Sequence, residues 1–120
     1  MAFRTLVHDV EASLPFYVDL LGFTVVEKWG LAFAILERDG DTIWLSGPQT
    51  SAAQPMPDGR QPEPGSWNRI VVSIEVLEPV IVRLKNAGVV FRNDPITGPG
   101  GTQVLVEDPS GNLIELFSPR

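Results

Sequence analysis

The chain has 120 residues, 43% of them hydrophobic, with a formal net charge of −6 and no cysteine. That length bounds one domain, or two small modules sharing a core, with enough apolar residues to fill it. The missing cysteines exclude disulfides, zinc–thiolate sites and thiol nucleophiles, and the acidic balance argues against nucleic acid, whose phosphates attract Lys and Arg. No apolar stretch approaches the ~20 residues that cross a bilayer. Met1–Val7 lacks the basic-then-apolar pattern of a secretory signal. The expectation is a cytoplasmic protein without membrane or nucleic-acid partners, compatible with a neutral or cationic small ligand.

Phe3–Val7 is a short apolar strand. A helix follows from Asp9, with Leu14, Tyr17, Val18 and Leu21 on one face at i, i+3, i+4 and i+7. Pro15 is expected in its first turn, where a missing N–H is harmless, and Gly22 supplies its stop. Strands are expected at Phe23–Glu27, Leu31–Glu37 and Thr42–Ser46, with a tight hairpin at Asp39-Gly40. The first module, 1–46, therefore reads βαβββ. Residues 47–66 carry Pro48, Pro55, Pro57, Pro62 and Pro64, and no helix or strand periodicity. A loop of that length in a compact domain is typically a lid or a linker.

The second module, 67–120, repeats the order. Ile70–Val76 is a strand. Leu77, Ile81 and Leu84 line a helix ending at Ala87-Gly88, Val89–Arg92 is a strand, and Pro95–Gly101 is a loop. The hairpin Glu107–Phe117 closes the chain around Asp108-Pro109-Ser110-Gly111-Asn112, in which Asp108 is expected to cap its own turn. Gly22 matches Gly88 at an offset of 66 and Gly40 matches Gly111 at an offset of 71, so the longer Pro95–Gly101 loop accounts for five extra residues. Glu115 breaks the last apolar run. Period-two alternation puts it on the face of Leu113 and Phe117, so it is either solvated or lines a concave site.

Three segments carry a family resemblance: Asp9–Tyr17 with Leu20–Phe23, Leu84–Val89, and Asp108–Leu116. Together they span nearly the whole chain, and they resemble the vicinal oxygen chelate superfamily of glyoxalases, extradiol dioxygenases and bleomycin-resistance proteins. The resemblance implies an α+β fold of two βαβββ modules. Their curved mixed sheet would form a half-open barrel, with helices outside and the site on the concave face. It also implies a homodimer, often with each site built from both subunits.

Metal-dependent members take ligands from the first and fourth strands of each module. Carried over residue by residue, those positions fall at Ala2, Trp44, Arg69 and Glu115. Only Glu115 is a metal donor, since a guanidinium has no lone pair to give. The expectation is therefore no metal and no other cofactor, the alternative being a divalent ion bound by ligands elsewhere. Arg69 and Glu115 are expected to pair through a two-pronged, charge-assisted hydrogen bond. His8, the one histidine, is expected to be solvated or turn-bonded rather than a ligand.

Three tryptophans against one tyrosine is a biased aromatic usage. Tryptophan offers a stacking face and one N–H donor, which suits a planar aromatic ligand. Trp44, Trp67, Arg69, Glu115, Trp29 and Phe33 are the expected binding residues, and Glu115 is the one catalytic candidate, as a general base. Gly98-Pro99-Gly100-Gly101 lacks the Lys-Ser/Thr of a phosphate loop, and neither Ser46 nor Ser73 has a histidine for a serine triad. The leading expectation is a metal-free binding protein of the bleomycin-resistance type that sequesters an aromatic natural product or antibiotic. The alternative is a metal-dependent glyoxalase/lyase or dioxygenase-like enzyme.

Overall fold

A computed structural model describes all 120 residues. The chain divides into two compact units, Met1–Gly65 and Ser66–Arg120, so the Pro-rich segment belongs with the first. In the first unit the order is β1 (Ala2–Leu6), α1 (Val10–Leu14) continuing as a π-helical segment (Pro15–Leu20), β2 (Thr24–Trp29), β3 (Phe33–Arg38) and β4 (Asp41–Ser46). In the second it is β5 (Arg69–Ser73), α2 (Leu77–Asn86), β6 (Ile96–Gly98), β7 (Gly101–Glu107) and β8 (Leu113–Pro119).

Each unit forms one four-stranded mixed sheet, in the order β1-β4-β3-β2 and β5-β8-β7-β6. The outer pairs β1–β4 and β5–β8 are parallel and the rest antiparallel. The fold is α+β with two βαβββ modules, and neither sheet closes into a barrel. No helix is long and apolar enough to cross a membrane.

Local chemistry explains the elements. Asp9 caps α1, its carboxylate accepting from the Ala12 N–H at 3.1 Å. At Asp39 and Gly40 both φ angles are positive, 52° and 87°, as the two-residue turn of type I′ between β3 and β4 requires. The α2 helix tolerates Pro79 because a backbone nitrogen in the first turn has no intrahelical acceptor, so proline's missing N–H costs no bond there. It ends in a Schellman arrangement: Gly88 has φ 80°, and the Val89 N–H donates to the Leu84 carbonyl at 3.0 Å.

Two expectations about the first helix are corrected. Pro15 does not sit in the first turn; it opens the π-helical segment inside a continuous run. Proline removes a ladder hydrogen bond and clashes with the preceding turn, and the wider π turn absorbs this. The Leu21 N–H accordingly reaches back five residues to the Phe16 carbonyl at 3.2 Å. The wider turn also changes the inward face. Val10, Ser13, Phe16, Tyr17 and Leu21 are buried, while Leu14 and Val18 are half-buried. Phe16, Tyr17 and Phe23 meet edge to face, at centroid distances of 5.0 and 5.8 Å.

In the second unit the expected strand Val89–Arg92 is not formed. The segment touches β7 only through a bridge from Phe91 to Val106. The Asn93 side chain then takes the Leu105 N–H at 2.9 Å, replacing a backbone acceptor, and Pro95 has no N–H to donate. The ladder resumes at Ile96–Gly98, inside the expected loop. On α2 the buried face is Leu77, Val80 and Leu84, with Ile81 half-buried. Asp108 is buried and satisfied within its own turn. Its carboxylate accepts from the Ser110 and Asn112 backbone N–H groups at 2.8 and 2.9 Å and from the Asn112 side chain at 3.0 Å.

Gly101 is the tightest backbone position. Its φ is 153°, and an added Cβ would lie 2.2 Å from the Ser118 carbonyl oxygen. Gly101→Ala is expected to lower the unfolding free energy by about 3 kcal/mol in urea titration. Gly100→Ala, whose added Cβ would meet only Phe117 at 4.0 Å, is expected to cost under about 1 kcal/mol.

Candidate functional site

In the first unit one sheet face buries Ala34, Leu36, Ile43 and Leu45. Alternation then gives the open face to Phe33 and Ile35 of β3, Thr42 and Trp44 of β4, and Ala2 and Arg4 of β1. The edge strand β2 joins that face through a bulge. Thr24 and Val25 pair with Glu37 and Leu36, but Glu27, Lys28 and Trp29 pair with Ile35, Ala34 and Phe33, so Val26 has no partner. The extra residue shifts the alternation by one. Glu27 and Trp29 therefore share the open face, while Lys28 lies on the other face and forms an ion pair with Glu11 of α1.

These residues wall a groove of about 440 Å³, lined by Arg4, Glu27, Trp29, Phe33, Ile35 and Trp44, with Thr50 and Ser51 from the Pro-rich segment. The volume falls within the range of small-molecule sites. Phe33 stands between the two indoles, 5.4 Å from Trp29 and 6.1 Å from Trp44 between ring centroids. The Arg4 guanidinium lies 5.0 Å from the Trp44 ring centroid and 5.9 Å from that of Phe33. It is held there by the buried Ser46, whose hydroxyl oxygen accepts from Arg4 Nη1 at 3.0 Å. Arg4 makes no ion pair with any carboxylate. A positive charge thus lies against the rings, although the chain is acidic overall.

The predicted residues divide. Trp29, Phe33 and Trp44 come together in this groove. Arg69 and Glu115 meet on the second sheet, where Arg69 Nη1 donates to Glu115 Oε1 at 3.2 Å. The pair is single-pronged rather than the expected fork. Arg69 lies opposite Leu113, two residues from Glu115, so its guanidinium reaches across on a diagonal. Trp67 is 73% exposed and stacks with Arg92, 5.4 Å from its ring centroid, while Arg92 Nε donates to Glu107 at 2.5 Å. His8 is exposed at the end of β1.

Reading the sequence missed Arg4, Glu27, Ile35, Thr50 and Ser51. Arg4 was within reach of the alternation argument, being two residues from Ala2 on the same face. Glu27 was not, because the bulge leaves no mark in the local sequence.

The register supports the equivalence of the four carried-over positions. Ala2 pairs with Thr42 as Arg69 pairs with Leu113, and Trp44 takes in its sheet the place that Glu115 takes in the other. These four positions supply one carboxylate. No group of three or more His, Cys, Asp or Glu side chains that could hold a metal ion occurs in the structure. The residues present do not fit a divalent ion, which needs several converging donors.

Comparison with known proteins follows the same lines. A model of the Glyoxalase/Bleomycin resistance protein/Dioxygenase superfamily matches residues 3–116. Virulence protein STM3117 of Salmonella typhimurium is 23% identical, over 92% of this chain and 76% of that protein. The crystal structure of TnmS3, described as an antibiotic binding protein from Streptomyces sp. CB03234, is 26% identical with a TM-score of 0.75, covering 99% of this chain and 93% of that one. A lactoylglutathione lyase from Agrobacterium tumefaciens is 18% identical with a TM-score of 0.72, covering 98% and 91%. At that identity it shares the fold alone.

With the Arg69 side chain 35% and the Glu115 side chain 14% exposed, their bond is a half-solvated one. A double-mutant cycle with Arg69→Met and Glu115→Gln is expected to give a coupling of about 0.5–1 kcal/mol. Unfolding titrations at low and high salt check this, and the coupling should shrink in high salt.

Proposed function

The chain belongs to the Glyoxalase/Bleomycin resistance protein/Dioxygenase superfamily, and we propose that within it the protein is a metal-free binder of the bleomycin-resistance type. It sequesters a small aromatic natural product or antibiotic and works as a homodimer. The observation that carries this reading is the groove of the first sheet, where the Phe33 ring lies 5.4 Å from that of Trp29 and 6.1 Å from that of Trp44. A flat ligand buries large area against such rings at low entropic cost, because the indoles have few rotatable bonds. Protection then comes from stoichiometric binding and needs no bond to break.

Two further points support it. TnmS3, an antibiotic binding protein, resembles this chain over nearly its full length. The positions that carry metal in lyase-type and dioxygenase-type members hold an alanine, a tryptophan and an arginine here, and the remaining carboxylate, Glu115, is engaged by Arg69. The metal-dependent reading is the weaker for that reason.

The test is a titration of intrinsic tryptophan fluorescence with a panel of planar aromatic antibiotics. Saturable quenching at one ligand per groove is expected from at least one compound. Trp44→Ala should weaken that binding more than about tenfold, or about 1.4 kcal/mol, and an unchanged dissociation constant would overturn the placement of the ligand. Elemental analysis of protein purified without chelator should find no stoichiometric divalent metal; one ion per chain would overturn the metal-free reading. Sedimentation is expected to give twice the chain mass.

A further inference from the structure

The groove has a polarity that the aromatic reading alone does not use. One row of residues runs straight across the open face of the first sheet: Glu27 on β2 pairs with Ile35 on β3, Ile35 with Trp44 on β4, and Trp44 with Arg4 on β1. An acid therefore stands at one edge of the row and a base at the other, with an apolar floor between. Neighbouring strands are about 4.8 Å apart, so three spacings put the backbones of Glu27 and Arg4 about 14 Å apart. The two form no ion pair with each other, and neither pairs with any other charged group. Lys28, the cation beside Glu27 in the chain, is turned to the other face and held by Glu11.

We infer that the groove selects an elongated, planar aromatic ligand carrying an anionic or hydrogen-bond-accepting group at one end and a protonated amine at the other. Arg4 and Glu27 are the specificity-determining residues. The inference rests on the proposed aromatic-binding function and names its ligand class.

The Arg4 guanidinium is already positioned before a ligand arrives, stacked on Trp44 and fixed by Ser46 through one N–H. Its other N–H groups remain free to grip a carboxylate or phenolate, and little side-chain freedom is left to lose. At the far end the Glu27 carboxylate accepts only, so it favours an ammonium donor. Between them Ile35, Trp44 and Phe33 supply a floor without charge, which a flat ring system covers. The overall charge of −6 says nothing of this arrangement, because both signs are present in the groove.

The test uses four anthracene probes titrated by calorimetry into the full-length protein. They carry a carboxylate at one end, an aminomethyl group at the other, both groups, or a hydroxymethyl group only. Each matched charge is expected to tighten binding about tenfold over the hydroxymethyl probe. Arg4→Gln should remove the carboxylate gain and keep the amine gain, and Glu27→Gln should do the reverse. The gain that each variant keeps shows that its groove is intact, and thermal unfolding within a few degrees of the parent protein checks the fold. Arg4→Lys, keeping the charge without the planar fork, should retain part of the carboxylate gain. If all four probes bind the parent protein with affinities within about threefold of one another, the polarity is overturned and aromatic sequestration stands. If none binds, both fall.

Discussion

The groove depends on one constraint, the strict alternation of side chains along a strand, and on the single place where the chain breaks it. Val26 is the extra residue of the β2 bulge. Had the pairing of Thr24 and Val25 continued without it, Glu27 and Trp29 would lie on the face that buries Ala34 and Leu36, and Lys28 would lie beside the aromatic rings. The bulge exchanges them. It gives the groove one of its indoles and its acid, and it gives the helix side a lysine that Glu11 neutralises. Bulges at a sheet edge re-aim side chains at low cost because the edge strand has no partner on its other side.

The two modules show how one topology carries two different chemistries. Both sheets place their parallel pair and their hairpin in the same order, and matching glycines end matching helices at φ 81° and 80°. At equivalent register the first sheet has Ala2, Arg4 and Trp44 and the second has Arg69, Val71 and Glu115. In the first, the cation stacks on an aromatic ring with no carboxylate partner; in the second, it is partly neutralised by an acid. A free, stacked guanidinium can recruit a ligand, whereas a paired one must first give up its partner. The first unit therefore presents the aromatic and cationic surface that the proposed binding would use.

The Pro-rich segment is best understood with the first unit, to which it belongs. It is tied by hydrogen bonds within that unit: the Gly47 N–H donates to the Ala32 carbonyl at 2.9 Å, Thr50 Oγ1 to the Gly47 carbonyl at 2.8 Å, and the Gln61 side chain to the Ala53 carbonyl at 2.7 Å. Its prolines remove N–H groups that would otherwise need partners. Through Thr50 and Ser51 it adds two hydroxyl-bearing residues to the lining of the groove.

Much was determined by local sequence alone. The βαβββ repeat, the Asp39-Gly40 turn, the self-capped Asp108 turn and the glycine-terminated helices each follow from residues within one or two turns of each other, where backbone preference and short-range hydrogen bonds decide the outcome. The pairing of Arg69 with Glu115 was implied by the family resemblance, which put both at ligand positions, although its single-pronged geometry depended on the diagonal register. Three features were left to tertiary structure. Pro15 is accommodated by a π turn because the aromatic residues after it must reach the core. The edge partner of β7 moves from Val89–Arg92 to Ile96–Gly98 because Asn93 intercepts a backbone donor twelve residues away. The groove itself gains Glu27 and Trp29 through a bulge that exists only relative to the neighbouring strand. Pairing register is a relation between distant segments, and a one-residue shift in it reverses every face assignment while leaving the local pattern unchanged.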